Sequence, residues 1–235
     1  MQDPFRHLRA ASRTHCGRVR EQNEDAMLAL PAQGLFAVAD GMGGCRGGDV
    51  AAQAVIDHLR AAVDDPPLPL ATRVHRFREA IDEASDWIRR YAARHGNPGM
   101  GSTVAALVMD PETPHQAAVL HAGDSRVYRL RGGRLEALTR DHSVAAMAGL
   151  VASQPVPSLF QGVITRAVGM RRDVGTETRF LDVQRADRFL LCSDGVHGLI
   201  PHDRMERLVN ENPDPNAAAE ALLDAALAAG GDDNA

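Results

Sequence analysis

The chain has 235 residues, a formal net charge of -5 and 44% hydrophobic residues, enough for a substantial core in one large domain. That acidic balance leaves no basic footprint for a nucleic-acid partner. All 26 basic side chains are arginine, and the absence of lysine excludes a P-loop, a protein kinase and a pyridoxal phosphate enzyme, each of which needs one.

In chain order, the N-terminus MQDPFRHLRA carries no apolar leader, and no uncharged run approaches the ~20 residues that cross a bilayer. A soluble cytoplasmic protein without a membrane partner is expected. Residues 5–14 and 26–30 read as strands, and 34–40 is a nearly continuous apolar run ending in Asp40-Gly41, a strand buried on both faces. A helix over 49–63 follows, then the proline-stiffened connection 64–69. A second helix presents Val74, Phe77, Ile81, Ala84, Ile88 and Tyr91 at alternating three- and four-residue steps.

Strands are predicted over 103–109, 117–122 and 126–130, with Gly132-Gly133 as a two-residue hairpin turn. Residues 143–157, with Gly149, Pro155 and Pro157, interrupt the pattern and read as a flap. Strands over 176–183 and 188–192 and a helix over 217–229 complete the chain. Many antiparallel strand signals, with helices grouped in the first half and at the end, predict an α+β fold. It is an αββα four-layer sandwich of two mostly antiparallel sheets flanked by helix pairs. Cys16, Cys45 and Cys192 are widely spaced, which argues against a zinc knuckle or a disulfide framework and fits a reducing compartment.

Four acidic motifs lie far apart: Asp40-Gly41, Gly123-Asp124-Ser125, Ser193-Asp194-Gly195 and Asp232-Asp233-Asn234. Crowded carboxylates repel unless a proton or a cation neutralises them, and Mg²⁺ or Mn²⁺ prefers oxygen ligands of this kind. Two buried strands ending in Asp-Gly could place Asp40 and Asp194 on one sheet edge, although each motif alone also fits an ordinary turn. Arg20-Glu-Gln-Asn-Glu24-Asp25 sets a phosphate-matching guanidinium before two acids, while a mixed charge run also makes a solvated loop.

The order and wording of these stretches carry a resemblance. With Gly101-Ser-Thr-Val104, His121-Ala-Gly-Asp-Ser-Arg-Val-Tyr128, Thr139-Arg-Asp-His-Ser143 and Ile164-Thr-Arg-Ala-Val-Gly169, the chain resembles the metal-dependent protein phosphatase 2C (PPM) family of serine/threonine phosphatases. The resemblance implies a bacterial stand-alone enzyme, a monomer, that hydrolyses phosphoserine and phosphothreonine on proteins by attack of a hydroxide bridging two Mn²⁺ or Mg²⁺ ions, opposing a serine/threonine kinase. It implies that Asp40 bridges both ions, Gly41 gives its carbonyl, Asp194 and Asp233 bind the first ion, and Asp124 a third, weaker one. Glu24 and Asp25 would hold water ligands, Arg20 the phosphate, and Asn234 would orient the shell.

Two departures from the family pattern bear on mechanism. Met42 stands where many eukaryotic relatives carry a histidine, which resembles bacterial members, and it cannot donate a proton to the leaving oxygen. A metal-bound water, at the site of Asp124, is the candidate acid; His15, His121 and His142 are weaker ones, and none of them is assigned a catalytic role. Relatives also continue past the Asp-Asn pair into a last strand, so Asp233 is expected to be loosened at Ala235, and the flap, 141–163, looks short. The rival reading is a non-catalytic phosphoprotein-binding module of the same fold, which should lack a metal ligand. A third keeps the enzyme and changes the substrate to a small phosphoester or phosphohistidine.

Overall fold

The computed structural model describes residues 5, 8–43, 47–113, 115–147 and 162–235. The larger sheet contains β1 (Asp25–Leu30), β2 (Leu35–Met42), β4 (Val104–Met109), β5 (Gln116–Ala122) and β8 (Glu177–Asp182) in that spatial order, with the short β3 (Gly101–Ser102) paired to β2. The smaller sheet orders β7 (Arg134–Ala137), β6 (Arg126–Arg131) and β9 (Arg188–Cys192). Every pairing is antiparallel. Helices α1 (Gly48–Ala61) and α2 (Leu70–His95) cover the larger sheet; α5 (His202–Glu211) and α6 (Pro215–Ala228) cover the smaller. Two one-turn helices, α3 (Val144–Met147) and α4 (Asp194–His197), complete the set, and no helix among the described residues is long and apolar enough to cross a membrane.

Three buried clusters mark the three interfaces of an αββα stack. Strand β4 is buried at every position because it has two apolar faces. Val104, Ala106 and Val108 meet Val55, Phe77 and Ile81 on the helix side, while Ala105, Leu107 and Met109 face the second sheet. The third interface joins Tyr128, Leu130 and Cys192 to Met205, Val209 and Leu222 of the far helices. The same two-residue period sets the site. In β2, Leu35, Ala37 and Ala39 point to the helices, so Phe36, Val38 and Asp40 face between the sheets. Asp25 pairs directly with Asp40 in the β1–β2 register and shares that face.

Local chemistry explains the ends of elements. Gly132 and Gly133 have φ of +57° and +81° across an Arg131–Arg134 pair, the two positive values a type I′ hairpin requires. Helix α6 starts at Asp214, whose carboxylate accepts from the N–H groups of Asn216 (3.0 Å) and Ala217 (3.2 Å), with Pro215 in the first turn.

Several expectations are corrected. Among the described residues of 5–14 there is no strand: Leu8 N–H closes a turn on Phe5 O at 2.8 Å, and Arg9 and Arg13 reach out to Asp214 and Asn216. Phe5 and Leu8 pack against the apolar cluster at a three-residue spacing, which is not the two-residue period of a strand face. Asp40 lies near the C-terminal end of β2 and Asp194 just beyond β9, so they belong to different sheets, not one edge. Helix α5 escaped prediction, although Pro201 and the Met205/Val209 spacing mark it. Of the predicted flap, residues 148–161 lie outside the described residues, while Ser143 bridges Ile164 and Val144 N–H reaches Val163 O at 2.9 Å.

Candidate metal centre

Between the sheets, at the end where β2 and β9 terminate, the distant acidic motifs converge. Asp25 and Asp40 come from paired strands, Asp194 opens α4, Asp124 sits in the β5–β6 turn, and Asp233 lies on the C-terminal segment. That segment is tightly held, contrary to the expected loosening. His15 and Ala235 exchange both main-chain hydrogen bonds (2.8 and 3.0 Å), and Arg20 Nη2 donates to Asp233 Oδ2 at 2.7 Å.

Asn234 is the knot. Its Nδ2 donates to Cys16 O (2.8 Å) and Gln22 O (2.9 Å), its Oδ1 accepts from Glu24 N–H (2.8 Å), and its own N–H reaches Asp233 Oδ1 (2.9 Å). Gly41 N–H in turn donates to Glu24 O at 3.0 Å. Main chains approach here as side chains could not: a Cβ on Gly41 would strike Gly48 O, one on Gly195 would strike Asn234 O, and one on Gly48 would strike the Glu24 carboxylate. Three glycines therefore let three segments close on one point.

The electrostatics follow from that crowding. Burial pushes the Asp25 carboxyl up to about 7 despite a 2.6 Å hydrogen bond from Ser193 Oγ, with Asp194, Asp233 and Glu24 adding repulsion. Burial also lifts Asp124 to about 7, helped by Asp194 and Asp141. Asp40 rises well above the carboxylate range, through burial first and then Asp25, Asp194 and Asp124; Asp194 is raised by burial and Asp233. Glu24 is raised by burial, against the pull of Arg20. Asp25 Oδ1 and Asp124 Oδ1 are buried oxygens without a hydrogen-bond partner. A cluster of desolvated, mutually repelling oxygens with unused lone pairs fits hard divalent cations, so the residues suit the metal the sequence implied.

All nine predicted site residues, Arg20, Glu24, Asp25, Asp40, Gly41, Asp124, Asp194, Asp233 and Asn234, lie in or against this cluster, linked by the bonds and mutual repulsions above. Sequence reasoning missed the supports. Ser193 holds Asp25; His197 Nε2 lies 2.9 Å from Asp124 O; Arg126 makes a two-pronged bond to Asp141, both prongs at 2.8 Å. Thr103 Oγ1 accepts from Asp40 N–H at 2.9 Å and sits 2.7 Å from Ser125 Oγ. Ser193, Ser125 and Thr103 each stand in a motif that was quoted, but a hydroxyl's partner is set by tertiary contact and has no sequence signature.

Among the described residues, the trio whose ligand atoms all lie within 4.8 Å of one another is not in the acidic cluster; it is His121, His142 and Glu177. Its geometry opposes a metal. The two imidazoles stack at 4.6 Å with 24° between planes, whereas an ion must lie in the plane of each ring. His142 Nδ1 accepts from Gly123 N–H (3.1 Å), and Arg166 Nη1 lies 3.1 Å from its Nε2. A liganding Nε2 would put the proton on Nδ1, against another donor, beside a fixed cation. Burial holds His121 neutral, near 4, and burial with Arg166 lowers His142. Neither serves as an acid at neutral pH.

Comparison with known proteins now bears on the site. A profile of the protein phosphatase 2C family matches residues 14–229. The chain is 31% identical over 237 residues to the serine/threonine phosphatase stp of Listeria welshimeri, covering 97% of this chain and 93% of that protein. It superposes on PppA of Pseudomonas aeruginosa, described as a key regulatory component of T6SS, with a TM-score of 0.86, 37% identity and 96% and 94% of the two chains covered. On the PstP catalytic domain in complex with two manganese ions the TM-score is 0.82, with 31% identity and 96% and 94% covered.

Proposed function

The chain belongs to the protein phosphatase 2C family, a metal-dependent serine/threonine protein phosphatase acting on phosphoproteins, and we propose that its acidic cluster holds two Mn²⁺ or Mg²⁺ ions. Asp40 would bridge them, with Gly41 O, Asp194 and Asp233 as further ligands and Asp124 for a third. When bound, the cations supply Lewis acidity and lower the pKa of water for in-line attack on phosphorus. The described chain serves as one catalytic domain.

The chain's own residues do the rest. Arg20 uses one of its five donors on Asp233, leaving the others to turn to phosphate oxygens and fix the ester for attack. Asp25 Oδ1 and the Glu24 carboxylate are acceptors for ordered water, and Ser193 fixes the orientation of Asp25. Asn234 keeps Asp233 beside Glu24. Cys192 is buried and its thiol is pushed up to about 12, which disfavours a phosphocysteine at this position.

The observation that carries this reading is the convergence of Asp25, Asp40, Asp124 and Asp194 from distant stretches of the chain, with Asp25 Oδ1 and Asp124 Oδ1 buried and without a hydrogen-bond partner, a crowding that burial and mutual repulsion push toward protons or cations. The non-catalytic module requires a lost ligand, and the sequence carries each expected carboxylate. Release of phosphate from a phosphothreonine peptide should depend on Mn²⁺ and stop on chelation; no release with saturating metal rejects the assignment. The natural counterpart is a serine/threonine kinase of the same cell. Phosphothreonine sites that rise on deletion of this gene and fall on deletion of that kinase would identify the pair.

A further inference from the structure

The register of β2 is constant from Leu35↔Val108 through Val38↔Ala105 to Gly41↔Ser102, so Asp40 falls opposite Thr103. At this position the ladder changes. Thr103 N–H still donates to Asp40 O at 2.8 Å, but Asp40 N–H donates to the Thr103 hydroxyl at 2.9 Å instead of the Thr103 carbonyl. That carbonyl accepts from Ser102 Oγ at 2.9 Å, and Ser102 Oγ also lies 3.1 Å from Asp40 O. One backbone bond of the sheet is thus handed to a side chain at the residue that carries the central carboxylate.

The same hydroxyl reaches further. Thr103 Oγ1 is 2.7 Å from Ser125 Oγ, and Ser125 follows Asp124 in the turn of the β5–β6 connection. Thr103 and Ser125 are 1% and 0% exposed, so no water competes for these bonds. Gly123 seals the arrangement: at φ +117° its backbone rests on Thr103, and a Cβ there would lie 2.6 Å from Thr103 Cβ. Asp40 N–H, Thr103 Oγ1 and Ser125 Oγ form a dry chain joining two acidic turns that are distant in sequence.

We propose that Thr103 and Ser125 are positioning residues, a hydroxyl brace that fixes the Asp40 carboxylate relative to Asp124 and thereby sets the affinity of the cluster for Mn²⁺. This rests on the reading of Asp40 and Asp124 as metal ligands. Neither hydroxyl is a ligand in that reading; each acts by holding a main chain whose side chain is the ligand. An ion bound by several carboxylates discriminates sharply against displacement of any of them, because the ligands must reach a common point while repelling one another.

The test is calorimetric Mn²⁺ titration of the whole chain, with chelator-treated protein unfolded in parallel. Thr103→Val keeps shape and removes the hydroxyl; it should weaken Mn²⁺ binding roughly 10- to 100-fold. Thr103→Ser should restore affinity to within about threefold of wild type, and Ser125→Ala should weaken it about fivefold. The double variant Thr103→Val with Ser125→Ala should be no weaker than Thr103→Val alone, since both break one chain. A folded Thr103→Val that binds like wild type, whatever its melting temperature, overturns the brace. So does Thr103→Ser as weak as Thr103→Val. If Thr103→Val does not fold, Ser125→Ala decides alone, and unchanged affinity there overturns it too. Wild-type protein that binds no Mn²⁺ removes the proposed metal centre itself, and the brace with it.

Discussion

The space between the two sheets has opposite chemistry at its two ends. Toward the middle of the strands it is dry and apolar, with Leu107, Val119, Val127 and Leu181 packed together. At the ends of β2 and β9 it becomes a ring of carboxylates that burial and mutual repulsion push toward protonation. The first end stabilises the fold; the second costs stability in the absence of cations, because it gathers charge that water would otherwise solvate. A single pair of sheets therefore carries both a scaffold and a strained site, and the two should respond to mutation in opposite ways.

The strongest way to break that contrast is Asp40→Asn. It deletes the charge at the centre of the ring while keeping size and the main-chain hydrogen bonds, and should lower phosphatase activity by at least about a thousandfold, ~4 kcal/mol of barrier. In chelator the same variant should melt at or above the wild-type temperature, because a repulsive group is gone. Loss of activity together with a marked fall in chelator stability would show that Asp40 supports the fold, and the contrast would fail.

At the apolar end the prediction inverts. Leu107→Ala removes a side chain only 2% exposed between the sheets and should cost about 3 kcal/mol in denaturant unfolding. Mn²⁺ affinity should stay within about twofold, since no bond from Leu107 reaches the acidic turns. An equal loss of metal binding would mean that the two ends are one cooperative unit.

Much of this division was legible in the sequence, because apolar alternation and Asp-Gly punctuation are local signals. The run 34–40 reads as strand with its acid at the end; the strand continues to Met42, but Asp40 faces between the sheets by the same parity that buries Leu35, Ala37 and Ala39. What stayed hidden is nonlocal. Nothing in Phe189-Leu-Leu-Cys192 says that β9 belongs to the other sheet, since the apolar pattern of the two strands is the same. The roles of Thr103, Ser125, Ser193 and His197 are fixed by partners 22 to 168 residues away. The segment 5–14 misled because Phe5 and Leu8 suggest a strand, whereas both pack as single anchors against the apolar cluster that contains Met109, with Phe5 also under the Arg73 guanidinium.

The pH response sharpens the contrast further. Asp25 and Asp124 have folded values of about 7, above the ordinary carboxyl value of 3.8, so they favour the fold fully below the unfolded value and progressively less as pH rises to 7. Asp141 opposes them: burial alone would raise it, but the Arg126 pair holds it below its usual value, so its contribution is lost only in more acidic solution. Metal-free protein should therefore lose about 2 kcal/mol between pH 5 and 8, less than a simple sum because the groups are coupled. Asp25→Asn should flatten that slope in denaturant titrations. With saturating Mn²⁺ the slope should reverse, since ligation needs the ionised form. A metal-free stability that rises over this window would contradict the buried, repelling cluster.

The smallest expected effect separates two roles for one side chain at the boundary of the ring. Arg20 is about half exposed and bonds Asp233, so its energy as a salt bridge is modest, below about 1 kcal/mol. As a phosphate holder it should matter more. Arg20→Ala is expected to raise KM for a phosphothreonine peptide about tenfold, ~1.4 kcal/mol, with a smaller change in kcat and Mn²⁺ affinity within about threefold. Arg20→Lys should recover only part of the KM, because a point charge cannot offer a planar fork to two oxygens. If calorimetry instead finds Mn²⁺ affinity reduced and KM unchanged at saturating metal, Arg20 belongs to the support of Asp233 and phosphate recognition must be carried by the ions alone.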